Sequence, residues 1–240
     1  MEIKALASSS QGNCYLIKEQ NSVLVLECGI SFSKINLPKS PNVYLLITHE
    51  HLDHAQSVKD FLKRGIKTYS TNGTKEAIMT KHPELKVFNY LYQTIKYNET
   101  IEIGDFIVMC FKTKHDAKEP CGYYIYNKAT KEYLLFATDT YYIYNRFKTI
   151  NYLMIECNYS IKLLQEAIEK GYLTYTQYSR VLRSHFEFEN VKQFIKANNN
   201  GLKEIYLLHL SNGNSDSELF KNEIQKITGV PVYVCSERSF

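Results

Sequence analysis

A 240-residue chain with 44% hydrophobic and 22% charged residues has the make-up of a soluble globular protein, and it is long enough to bury a core without staples. Its net charge of +4 allows a groove for an acidic ligand without demanding one. The opening MEIKALASSS lacks the apolar core of a signal peptide, and the apolar runs near Val23 and Tyr44 are far too short to span a bilayer, so a cytoplasmic protein with no membrane partner is expected.

Apolar or alternating runs predict strands over 3–7, 14–18 and 22–27, broken at SSSQGN and EQN. A fully apolar run over 43–48 predicts a strand buried on both faces. A helix is expected over 55–63, ended by Gly65, followed by a strand over 67–70 and a helix over 74–81. Strands return over 101–112, 122–126, 133–137 and 152–156. Beyond Ser160 the pattern turns helical, over 161–170, 175–183 and 189–198. A strand over 204–209 then leads to a helix opened by a capping box from Ser215 to Glu218, and a strand over 231–235 closes the set. Two groups of strands, each followed by helices, predict an α/β fold with four αββα layers, and one domain over 1–240, in preference to a doubly wound parallel sheet. The six cysteines, Cys14, Cys28, Cys110, Cys121, Cys157 and Cys235, form no C-x-x-C pair and read as reduced and mostly buried.

The densest chemistry follows the apolar strand at 43–48. In Thr48-His49-Glu50-His51-Leu52-Asp53-His54, four donors fall within six residues, on a turn between a buried strand and a helix. A strand end places the turn rigidly, and the loop lets several imidazoles converge. Histidine with carboxylate suits zinc, manganese or iron better than calcium or magnesium. The chain has seven histidines, and three others, His115, His185 and His209, stand at strand ends or in loops beside strands. His82, in KHPE, reads as a surface residue. Asp139 follows the apolar strand YLLFAT, where a carboxylate serves either as a turn former or as a bridging ligand.

The run THEHLDH resembles the His-x-His-x-Asp-His signature of the metallo-β-lactamase superfamily. Within it, the chain is most similar to the YycJ-like (WalJ-like) branch of small nuclease-like proteins, which lack an inserted β-CASP domain. The segments that carry this likeness are LASSSQGNCYLI, HDAKEPCGYYI, IECNYS and GYLTYTQYSRVLRSHFEFENV, spread over nearly the whole chain. The last two histidines also resemble those of the transfer-RNA 3′-processing enzymes. The resemblance implies two divalent metal ions, zinc or manganese with iron also compatible. His49, His51 and His115 would hold the first and Asp53, His54 and His209 the second, with Asp139 bridging them. Such a pair activates a water toward hydroxide for attack on a phosphodiester. The resemblance places His185 near the substrate phosphate as an aid to proton transfer, and the expected reaction has Asp53 orient the nucleophile as well as ligate while His185 stabilises developing charge or protonates the leaving oxygen.

The chain departs from the family pattern twice. Glu27 stands where the family has a strand-end Asp, so its contact to a ligand is expected to be rearranged. Ser184-His185-Phe186-Glu187 replaces the usual Gly-His-Leu-Ser.

The branch, together with basic clusters at 59–67, 112–118 and 180–183 and tyrosines at Tyr141, Tyr142 and Tyr144, points to nucleic acid as substrate and to a phosphodiesterase or nuclease of exonuclease type. Two readings compete: a small-molecule hydrolase of cyclic nucleotides, thioesters or lactones, and a regulatory module that keeps metal for structure. No signal for an oligomeric state is present.

Overall fold

The computed structural model describes residues 1–39 and 42–235. Two mixed sheets lie face to face. The first takes β1 (Glu2–Ser9), β2 (Gly12–Lys18), β3 (Ser22–Leu26), β4 (Asn42–Leu46), β5 (Lys67–Ser70) and β6 (Tyr92–Thr94), paired in that order. α1 (Leu52–Ala55), α2 (Val58–Lys63) and α3 (Asn72–Lys81) belong to this half. The second sheet takes β7 (Thr100–Ile103), β8 (Phe106–Lys112), β9 (Cys121–Asn127), β10 (Tyr133–Ala137), β11 (Tyr152–Glu156), β12 (Glu204–Leu208) and β13 (Val232–Val234). With it go α4 (Ile161–Glu169), α5 (Tyr175–Ser184), α6 (Phe188–Ala197) and α7 (Ser217–Thr228).

Period-two alternation of apolar residues builds the four layers. In β3, Leu24 and Leu26 join Phe106, Val108, Tyr123 and Phe136 in the core between the sheets. Val23 and Val25 point the other way, onto Val58, Phe61 and Leu62 of α2. In β10, Leu134 and Phe136 face inward, while Leu135 and Ala137 face Phe188, Val191 and Phe220 of the second helical layer. Strands covered on both faces need apolar residues at every position, which is why they read as unbroken runs.

Several expected elements were redrawn. The helix over 55–63 is two pieces, because Ser57 turns its amide to Cys28 O at 2.9 Å and its hydroxyl to Ile30 O at 2.5 Å. The strand over 101–112 is a hairpin turning at Gly104, whose φ of +56° suits glycine, and at Asp105, whose amide donates to Ser22 Oγ. The cap of α7 is Asp216, whose Oδ1 accepts from Leu219 N at 3.0 Å, while Ser215 Oγ donates to Ser211 O. The short strand β6 and a 3-10 turn, Pro83–Phe88, carried no recognised signal. All six cysteines are buried thiols. No helix among the described residues is long and apolar enough to cross a membrane.

Candidate metal centre

β3 and β4 are parallel, as are β10, β11 and β12, and β8 runs in the same sense through its antiparallel pairing with β9. Their C-terminal ends therefore lie along common edges, and the residues just past them carry the polar chemistry. Glu27 follows β3, His49 follows β4, His115 follows β8, Asp139 follows β10 and His209 follows β12, while Glu156 is the last residue of β11. Glu27, Asp139 and His209 adopt positive φ, at 64°, 49° and 54°. Such a conformation costs a non-glycine residue energy and is held only by its surroundings. The hold is visible at His209, whose amide donates to Ser8 Oγ at 2.9 Å and whose carbonyl accepts from Asn158 Nδ2 at 2.7 Å.

The THEHLDH turn is pinned at both ends. Thr48 N donates to Glu27 Oε1 and Oε2 at 3.2 and 3.3 Å, and the carbonyls of Ile47 and Thr48 accept from Tyr123 Oη and Cys121 N. Further on, His54 O accepts from Cys28 N at 2.8 Å. Gly29 packs so tightly here that a Cβ would stand 1.6 Å from Asp53 O, so only glycine fits.

All seven residues expected to ligate metal converge. His49 Nε2 lies 3.1 Å from His51 Nδ1, which in turn lies 3.2 Å from His115 Nε2. His115 Nδ1 donates to Ser184 O at 3.2 Å, and His49 Nδ1 lies 2.9 Å from Thr48 Oγ1, so each ring turns its other nitrogen inward. Asp53, His54 and His209 form the second group: His54 Nε2 is 3.3 Å from Asp53 Oδ2, and His209 Nε2 is 3.7 Å from the same oxygen. Asp139 reaches both groups, with Oδ2 3.1 Å from His54 Nε2 and Oδ1 3.9 Å from His115 Nε2. His82 stands apart at the end of α3, 3.7 Å from Glu84.

Electrostatics follow from the crowding. Burial, then the charge on His54, holds His49 well below the usual histidine range, and burial also lowers His115. For His54 and His209 burial opposes charge, but the Asp139 carboxylate overcomes it and raises both. The same rings keep Asp53 and Asp139 ionised against the cost of burial. Glu27, wholly buried, is raised by desolvation, and its Oε2 lies 3.5 Å from His54 Nδ1, near enough for attraction but outside hydrogen-bond geometry.

A cation fits this set. Nitrogens around a tetrahedral zinc, each at about 2.0–2.1 Å, stand about 3.3 Å apart, which the first group nearly matches. Convergent lone pairs of neutral imidazoles repel unless a cation sits among them. Buried His209 Nε2 also has no hydrogen-bond partner and is turned into the cluster. These donors are placed so that they could hold a divalent metal ion.

His185 lies at the edge. Its ring stacks on His209 with centroids 5.5 Å apart, and its Nδ1 is 2.6 Å from Glu156 Oε1. Burial works against its charge, but Glu156 prevails and raises it to about 9. Glu156, which holds the His185 ring, is the residue of this cluster that the sequence reading missed; its signal was a carboxylate ending the apolar run YLMIE.

A model of the beta-lactamase superfamily domain matches residues 31–189, and the chain belongs to that superfamily. Among proteins of known name, it is 29% identical to Exodeoxyribonuclease WalJ of Streptococcus pneumoniae serotype 2 (strain D39 / NCTC 7466), over 89% of this chain and 83% of that protein. It is 25% identical to Exodeoxyribonuclease YycJ of Bacillus anthracis, over 95% of this chain and 89% of that one. The metallo-beta-lactamase fold protein YhfI of Bacillus subtilis superposes with a TM-score of 0.71 at 16% identity, covering 99% and 97% of the two chains.

Proposed function

We propose that the chain is a metal-dependent phosphodiesterase that hydrolyses DNA as an exonuclease, working as one cytoplasmic domain. The carrying observation is the convergence of seven donors, with the His185–Glu156 pair beside them, next to a cleft that one of those donors, His115, lines together with Lys112, Lys114, Lys118, Arg180 and Arg183. The similarity to two proteins named exodeoxyribonucleases supports DNA as the polymer.

His49, His51 and His115 would hold one cation and Asp53, His54 and His209 another, with Asp139 shared. Zinc and manganese both suit this donor set, and iron is compatible. So held, two such ions supply Lewis-acid charge for a phosphate and activation for a water. The chain's own groups do the rest. Asp53 accepts a hydrogen bond from the attacking water and so orients it. Glu156 fixes the His185 ring and favours its charged form, leaving a proton on Nε2 for the departing oxygen. Glu27 braces the motif through Thr48 N and His54.

The test is hydrolysis of labelled single- and double-stranded DNA and RNA by metal-stripped protein reloaded with manganese or zinc, beside Asp53→Ala. Metal-dependent shortening of DNA that vanishes in the variant is expected. A fully loaded protein that cleaves no polymer would overturn the reading and leave the small-molecule hydrolase standing.

A further inference from the structure

Two cavities adjoin the metal centre, and consecutive residues at the end of α5 divide them. Ser184 lines the larger, of about 740 Å³, together with His115. His185 lines the smaller, of about 410 Å³, together with His209.

Their chemistry differs. The larger carries five basic side chains against two acidic ones. Both acids are engaged: Asp116 Oδ2 lies 3.4 Å from Arg180 Nε, and Glu119 Oε2 accepts from Gly73 N at 2.5 Å. Among the described residues Arg183 bonds within its own helix, to Ser179 O and Ser179 Oγ. Tyr141 adds a ring to the wall. Beyond its two histidines, the smaller cavity has no charged side chain among the described residues that line it. It offers amides and hydroxyls such as Asn158, Ser211 and Asn212, with Tyr172 and Leu173.

A polynucleotide has a phosphate at every step, so the strand that continues past the cut needs arginines and lysines along its path. A single nucleoside beyond the last phosphate needs an uncharged pocket with a ring and a few polar groups, of the size of a small-molecule site. We propose that the basic cleft holds the continuing single strand by its phosphates, while the neutral cavity receives the one terminal nucleoside, so that each cut releases a mononucleotide. This rests on the phosphodiesterase reading above. Each cut consumes one water: its oxygen bonds to phosphorus, the bond from phosphorus to the neighbouring sugar oxygen breaks, and that oxygen takes up a proton.

The test is binding of a fluorescent oligothymidylate with phosphorothioate linkages to the metal-loaded protein, followed by anisotropy over a range of salt. A phosphate contact on a single strand contributes about 0.7 to the slope of log affinity against log salt. Arg180→Ala with Arg183→Ala should flatten that slope by about 1.4 and weaken binding about tenfold or more at low salt. Lys128→Ala removes a charge in the turn after β9, at the far end of the sheet, and should leave the slope alone. Gly213→Phe adds a ring at the wall of the smaller cavity, which Gly213 lines and where a Cβ meets nothing within 4 Å. It should abolish calorimetric binding of thymidine monophosphate while the strand's salt slope survives. An unchanged slope in the arginine variant, an equal loss in Lys128→Ala, or mononucleotide binding that survives Gly213→Phe would each sink the inference. So would short oligonucleotides as first products of unmodified DNA. A wild-type protein that shows the expected binding pattern but never cleaves would overturn the enzymatic reading alone.

Discussion

Glu156 Oε1 lies 2.6 Å from His185 Nδ1, tying the end of β11 to the residue that closes α5. The other oxygen of that carboxylate accepts from the amides of Thr140 and Phe186, at 2.9 and 3.3 Å. Glu156→Gln keeps an oxygen for both amides but turns an N–H toward Nδ1, which forces a neutral ring protonated on Nε2. We expect kcat to fall by about 10²–10⁴ with KM little changed and full metal content, read from steady-state kinetics beside elemental analysis. Loss of metal in this variant would make Glu156 a ligand instead of a positioning residue.

His185→Ala should likewise spare metal content and lower turnover by about 10²–10⁴. The two changes act on one device, so the double variant should be scarcely slower than either single one. Additive losses would separate their roles.

Glu27 accepts from Thr48 N and faces His54 Nδ1 from a wholly buried position. Glu27→Ala leaves that amide unpaired, at a cost of about 1–3 kcal/mol, and should weaken metal binding about 10- to 100-fold. Glu27→Asp tolerates the positive φ but loses reach, and should fall between the two. Competition with a chromogenic chelator, together with thermal melts, measures both effects.

Gly29→Ala drives a Cβ into the backbone of the metal motif, 1.6 Å from Asp53 O. Since backbone cannot yield as a flexible side chain does, we expect a loss of about 3 kcal/mol or more, with metal affinity falling in parallel. A melting temperature equal to wild type would show that α1 can shift away.

Metal binding should also be a stability term. With free cation at a thousandfold over its Kd, the folded state gains about 4 kcal/mol, or about 10 °C in Tm for a chain of this size. Calorimetric melts with chelator, then with manganese or zinc restored, should show that shift and its reversal. Identical melts would mean that the described donors bind no cation tightly.

Much of this arrangement was legible beforehand, and the physical reason is local. The apolar runs at Val43 and Leu134 announce strands covered on both faces, and a cluster such as His49, His51, Asp53 and His54 exists only where a turn brings its members together. What was hidden depends on distant partners. The break between α1 and α2 is made by Cys28 and Ile30, and the hairpin at Gly104 closes against Ser22, some eighty residues away in sequence. Glu156 escaped notice because a strand-end glutamate resembles any other until the fold sets His185 upon it. Glu27, read as a departure from the family pattern, proves to brace the same motif from behind His54.

His115 gives its Nδ1 proton to the carbonyl of Ser184, the last residue of α5 and the only buried one in that helix. Apart from this end α5 is loosely seated, yet it bears Arg180 and Arg183. The helix that carries those guanidinium groups therefore ends on the carbonyl that fixes the His115 ring. In the reading proposed above, the helix that would hold a polymer and the ring that would hold a cation thus share one hydrogen bond.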